Sequence, residues 1–125
     1  MAVESASIRR GAVVLIRLLR DKARPAVVVR PDLLSELSYA TVLPITSELR
    51  AAISLRIDIA PTPENGLRAA SQVMADWPQT VRFADIGQVI GHLDPGTMRA
   101  ITRQLTIVLG IASGAGRPRR PQNTG

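Results

Sequence analysis

The chain has 125 residues, 46% of them hydrophobic, which suits one domain with a core that needs no covalent staples. It contains no cysteine and a single histidine, His92, so a disulfide framework, a thiolate or His/Cys zinc site, and a histidine-pair nuclease within one subunit are all excluded. The formal net charge is +6 and Lys22 is the only lysine among 16 basic residues; arginine's planar fork matches phosphate, whereas 2% aromatic content excludes a multi-ring base-stacking platform.

Residues 1–8 form a small, polar lead-in expected to be poorly ordered. The apolar run at 12–16 is too short for a signal-peptide core or a membrane span, so the expectation is an unexported, cytoplasmic protein with no membrane partner. A first strand is predicted over residues 11–19, followed by a short Arg20-Asp21-Lys22 loop. The β-branched runs at 27–29 and 41–45 are fenced by prolines and read as two buried strands, joined by a short helical or irregular connection over 33–37. Pro25 fixes its own φ and holds Arg24 extended, so this guanidinium leaves the strand edge in a restricted direction that suits an anion site. A hydroxyl pair, Thr46 and Ser47, ends the next strand.

Residues 53–59 alternate, with Ile53, Leu55, Ile57 and Ile59 on one face and Ser54, Arg56 and Asp58 on the other, as in a half-buried antiparallel strand. A turn cluster at 61–66 includes Asn65-Gly66, residues that tolerate positive φ. Short strands are predicted at 72–75 and 80–83 around an Asp76-Trp77-Pro78 corner, and another at 86–93. Asp94 can cap a helix with Pro95 in its first turn; Met98, Ile101, Leu105, Val108 and Leu109 recur at three and four up to Gly110. Residues 114–125 have no apolar period and read as a disordered basic tail carrying Arg117, Arg119 and Arg120. The organisation is therefore a lead over 1–8, one domain over 9–112 and a tail over 113–125. Its class is mainly β with a C-terminal helix.

Arg-Pro-Ala-Val-Val-Val (24–29) and Pro-Ile-Thr-Ser (44–47) stand in order with Arg10-Gly11, Glu64-Asn65-Gly66-Leu67, Ala75-Asp76 before Pro78-Gln79-Thr80, and Ile90-Gly91-His92-Leu93. Together, over roughly residues 9–111, they resemble the motifs of the MazF/PemK (Kid) toxins, endoribonucleases of bacterial toxin–antitoxin pairs. The resemblance implies a small SH3-like barrel of the MazF/CcdB (PemK-like) type, a homodimer, and neutralisation by a cognate acidic antitoxin. It also implies sequence-specific cleavage of single-stranded RNA with no metal and no cofactor. A ribose 2′-OH attacks its own 3′-phosphate, leaving 2′,3′-cyclic phosphate and 5′-OH ends.

By the same resemblance the catalytic residues are Arg24, Thr46 and Asp76. Arg24 would clamp phosphate oxygens; a pKa above about 12 makes it a poor base, so its expected role is charge stabilisation. Thr46 would donate its hydroxyl to the scissile phosphate, and Asp76 would be the acid–base partner. Ser47, Lys22, Arg20, Trp77 and Gln79 are the expected substrate-binding residues. Each has a plainer reading: a surface arginine, turn-forming hydroxyls and carboxylate, a tryptophan in the core or at a dimer interface. The chain departs from the family in its short first loop, in Arg17 where an acid is common, in Met74 where Kid has an arginine, in Trp77 for the usual glutamine, and in His92 for a basic residue. These departures keep open a non-catalytic binding module. A CcdB-like gyrase poison is the third reading, though its C-terminal Trp-Gly-Ile is replaced here by Leu109-Gly110-Ile111.

Overall fold

The β-branched runs become the centre of a seven-stranded antiparallel sheet in the computed structural model, which describes residues 8–17, 22–34, 36–51 and 55–111. The strands are β1 (Ala12–Ile16), β2 (Arg24–Val28), β3 (Tyr39–Thr46), β4 (Arg56–Ile59), β5 (Ser71–Met74), β6 (Gln79–Arg82) and β7 (Ile86–His92), followed by the helix α1 (Pro95–Val108). They lie in the order β4-β5-β3-β2-β1-β7, with β6 also paired to β3. β3 is the organising strand. It pairs with β2 along one edge, while its other edge takes β6 from Tyr39 to Val42 and then β5 at Ile45 and Thr46.

Side chains alternate across the sheet, and both faces are buried, which is why β1, β2 and β3 read as near-continuous apolar runs. Val13, Val27, Leu43, Ile45 and Val73 face one cluster, closed by Leu93 and by Ile101 of α1. Ala12, Val14, Ala26, Val28 and Val42 face the other, closed by Val81, Ile86 and Ile8. Ile8 is therefore a core residue, not part of a loose lead-in: its side chain is 1% exposed.

The helix forms where expected. Asp94 accepts hydrogen bonds from the Thr97 backbone N–H at 3.0 Å and the Thr97 hydroxyl at 2.6 Å, and Pro95 occupies the first turn, where its missing N–H costs nothing. Ile101 is buried, with Met98 and Leu105 packed beside it. Leu109 departs from the predicted seam: it lies past the last helical turn and is 57% exposed. Asn65 explains the turn at 61–66. Its amide oxygen accepts from the N–H groups of Thr62 and Leu67, and its amide nitrogen donates to the Ala60 carbonyl, each at 3.0 Å.

The sequence boundaries shift in several places. The predicted strand at 80–83 starts one residue earlier and ends before Phe83, which opens a 3-10 turn over Phe83–Asp85. The connection after β2 holds a 3-10 turn at Asp32–Leu34. It is fixed by Arg30, 4% exposed, whose guanidinium donates to the carbonyls of Leu34 and Tyr39 at 3.0 Å and of Ile8 at 3.1 Å. Residues 1–7 of the lead, Leu18 and Leu19, Ile53 and Ser54, and the tail from 112 onward lie outside the described residues. No helix among the described residues is long and apolar enough to cross a membrane.

Candidate active site

The sheet register builds the site. Ala26 of β2 pairs with Pro44 of β3, so the Arg24 end of β2 lies beside the Thr46 end of β3. Thr46 pairs with Gln72 of β5, and Gln72 pairs with Asp58 of β4. Directly opposed residues share a face, so Thr46, Gln72 and Asp58 form one polar row across three strands, and Arg24 stands at the same end of the adjoining β2. It is the face that carries Ala26, Val28 and Val42 further along the same strands. Where that apolar cluster ends, the polar row begins.

Arg24 and Thr46 line a cleft of about 1190 Å³. That exceeds the roughly 300–1,000 Å³ of an ordinary small-molecule site and suits an extended, polymeric ligand. Lys22, Arg24, Arg50, Arg56 and Arg68 all line it, and Glu48 is the one carboxylate on its lining among the described residues. The charge of the cleft is accordingly positive.

Most of the expected site residues meet here. Arg24 is exposed at the first position of β2, and Thr46, Ser47, Lys22, Trp77 and Gln79 share the lining with it. The Thr46 hydroxyl oxygen accepts the Glu48 backbone N–H at 3.0 Å. No hydrogen bond donated by this hydroxyl is found among the described residues. Trp77 is 56% exposed, so the core reading of this residue is set aside. Asp76 stands on the exposed turn between β5 and β6, closed by the Trp77 N–H donating to the Met74 carbonyl at 3.2 Å. Its neighbours Met74 and Trp77 line the cleft; Asp76 does not. Arg20 lies outside the described residues.

Sequence reasoning missed Glu48, Arg50, Arg56, Arg68 and Gln72. The alternation over 53–59 did put Arg56 on the polar face, which was a usable signal. Arg50 and Arg68 lie outside the strands, where no periodicity marks a direction. Gln72 looks from its position like an ordinary strand residue, yet it is 6% exposed and hydrogen-bonded on both ends of its amide.

Residues 9–109 match the family model of the PemK-like, MazF-like toxins of type II toxin–antitoxin systems. The chain belongs to this family. A probable endoribonuclease MazF of Mycolicibacterium smegmatis is 35% identical over 91 residues, covering 73% of this chain and 84% of that protein. Endoribonuclease MazF3 of Mycobacterium tuberculosis is 35% identical over 74 residues, 58% of this chain and 69% of its own length. Among solved structures, the Mycobacterium tuberculosis toxin MazF-mt6 aligns with a TM-score of 0.69 at 27% identity, over 79% of this chain and 96% of that one. A mycobacterial endoribonuclease in complex with its cognate antitoxin gives a TM-score of 0.71 over 83% of this chain and 96% of its own, at 24% identity a likeness of fold. The mainly β architecture with one C-terminal helix is thus that of MazF toxins. In this MazF-like toxin the motif residues Arg24 and Thr46 converge on the cationic cleft.

Proposed function

We propose that this MazF-like toxin is an endoribonuclease that cuts single-stranded RNA at specific sequences, without a metal or cofactor, and is neutralised by a cognate antitoxin. The observation that carries the reading is that Arg24 and Thr46 line one cleft together, among five basic residues and one acid.

The reaction asks for three things: an in-line ribose 2′-OH, transfer of two protons, and stabilisation of the extra negative charge on the phosphorane. Arg24 supplies a two-pronged cation for the equatorial oxygens. Thr46, its oxygen already engaged by Glu48 N–H, donates its proton to the same phosphate. Asp76 at the rim is assigned proton transfer. Ser47, Lys22, Gln79 and Trp77 hold the flanking nucleotides, Trp77 by stacking. The products are a 2′,3′-cyclic phosphate and a 5′-OH.

A homodimer belongs to this reading. Leu33 is 83%, Ile111 73% and Leu109 57% exposed, apolar surface that a twofold pair would bury. An acidic antitoxin segment would occupy the cationic cleft, associating quickly and less tightly as salt rises.

The test is incubation of purified protein with a defined single-stranded RNA in EDTA, followed by analysis of the ends. Cyclic phosphate and 5′-OH termini are expected. Cleavage that stops on chelation, or 5′-phosphate products, would contradict the proposed chemistry.

A further inference from the structure

Arg56 opens β4 at the side of the cleft remote from Arg24. Its Nη1 donates to Gln72 Oε1 and to the Glu48 carbonyl, both at 3.0 Å. Both acceptors are neutral. The ion pairs found among the described residues are Arg9 with Asp32 and Arg82 with Asp85, so Arg56 is held in place without having its charge cancelled. Its Nε and Nη2 edge has no partner among the described residues, and that edge is the fork which grips a phosphate through two parallel hydrogen bonds.

Gln72 is what makes this arrangement rigid. Its Oε1 also accepts the Arg50 backbone N–H at 3.0 Å, while its Nε2 donates to the Arg50 carbonyl at 3.2 Å and to Asp58 Oδ1 at 2.9 Å. Exchanging the amide oxygen and nitrogen would face two donors with the NH2 and two acceptors with the oxygen, so the chemistry fixes the orientation. The amide thereby stands between Asp58 and Arg56. It binds the Asp58 carboxylate on one side and Arg56 on the other, and Arg56 makes no ion pair among the described residues. A glutamate at this position would neutralise Arg56, but would face the Arg50 carbonyl and Asp58 with an oxygen where the amide offers a donor.

We propose that Arg56 is a phosphate-binding residue of the cleft and that Gln72 is the positioning residue that holds it there unneutralised. This rests on the RNA reading above and deepens it. Three inter-strand spacings, about 14 Å in all, separate the strand of Arg24 from that of Arg56. Arg56 therefore engages a phosphate flanking the one that reacts, and contributes to holding the chain more than to the chemical step.

The experiment measures affinity for a single-stranded RNA oligonucleotide as a function of salt, with cleavage kinetics on the same oligonucleotide and on a dinucleotide. Arg56→Met should weaken oligonucleotide binding roughly tenfold or more. It should also flatten the slope of log affinity against log salt by about 0.7, the loss of one phosphate contact on a single strand. The loss should appear in KM more than in kcat, and be smaller on the dinucleotide. Gln72→Glu combined with Asp58→Asn, which moves one carboxylate charge from Asp58 to the Arg56 contact at constant net charge, should flatten the slope similarly by neutralising Arg56, with an unchanged melting temperature showing that the fold is kept. Arg103→Met, an exposed helix cation away from the cleft, should leave the slope unchanged. An Arg56→Met protein with wild-type affinity and slope overturns the proposal while leaving the RNA reading standing. A wild-type protein that binds no RNA overturns both.

Discussion

Thr46, the last residue of β3, stands directly opposite Gln72 of β5 and accepts the Glu48 backbone N–H on its hydroxyl oxygen. The hydroxyl oxygen is thus held by the chain that follows it, on a residue that lines the cleft. Thr46→Ser keeps both the acceptor and the donor and should cut RNA at near the wild-type rate. Thr46→Val keeps the shape and loses both; by analogy with removal of one oxyanion-hole donor, its single-turnover rate should fall roughly 100- to 1000-fold. Equal rates for valine and threonine would remove the hydroxyl from the mechanism.

The two carboxylates near the site can be separated by the same assay. Asp76 is the residue assigned proton transfer, but Glu48 is the one that lines the cleft. If Asp76 acts as the acid–base partner, Asp76→Asn should lower the rate by roughly 100-fold or more and remove one limb of the pH–rate profile, with Glu48→Gln close to wild type. The reverse pattern would transfer the role to Glu48.

Gly91 of β7 passes against the turn that contains Asn65. A Cβ added there would lie 2.4 Å from both the Asn65 carbonyl carbon and the Glu64 oxygen, backbone atoms that cannot swing away. Gly91→Ala should destabilise the protein by about 1–3 kcal/mol or more. Gly87→Ala is the matched control on the same strand, since its nearest atom would be the Leu15 oxygen at an ordinary 3.7 Å. It should change stability by no more than about 0.5 kcal/mol. Urea unfolding midpoints distinguish the two.

The Thr97 hydroxyl, with the Thr97 backbone N–H, holds the Asp94 carboxyl below its ordinary 3.8. A lowered folded value means that the cap's ionic contribution is complete above 3.8 and is lost as pH falls through the folded pKa. Asp94→Asn keeps a side-chain oxygen for the cap but cannot ionise. The melting-temperature advantage of the wild type over this variant should therefore be present near neutrality and shrink in acid. An advantage that persists unchanged in strong acid would contradict the assignment.

Much of the fold was legible because alternation and proline fences mark β2 and β3, and because Asp94, Pro95 and the three-and-four spacing mark α1. Arg24 and Thr46 were legible as a pair for a different reason: each ends a strand, and their motifs stand in the order of the toxin family. What could not be read was which strands would neighbour each other. The pairing of β3 with β5 at Thr46 brings Gln72 to the site, and only the further pairing of β4 with β5 brings Arg56. Arg30 was hidden in another way. A basic residue at the end of a strand looks solvent-facing, yet here four backbone carbonyls and the Phe83 ring, 5.1 Å from its guanidinium carbon, replace water around it.

The central claim is that Arg24 stabilises charge on the reacting phosphate, and single-turnover cleavage of a defined RNA by Arg24 variants tests it most directly. Arg24→Lys retains the charge but not the two-pronged geometry and should lose roughly 100- to 1000-fold in rate; Arg24→Ala should lose at least as much. Both should melt as the wild type does, because Arg24 is exposed at the start of β2 and such substitutions usually lie within about 0.5 kcal/mol. Arg103→Ala should leave the rate unchanged. An Arg24→Ala protein that melts normally and still cuts within threefold of the wild type, about 0.65 kcal/mol of barrier, would contradict the account at its anchor.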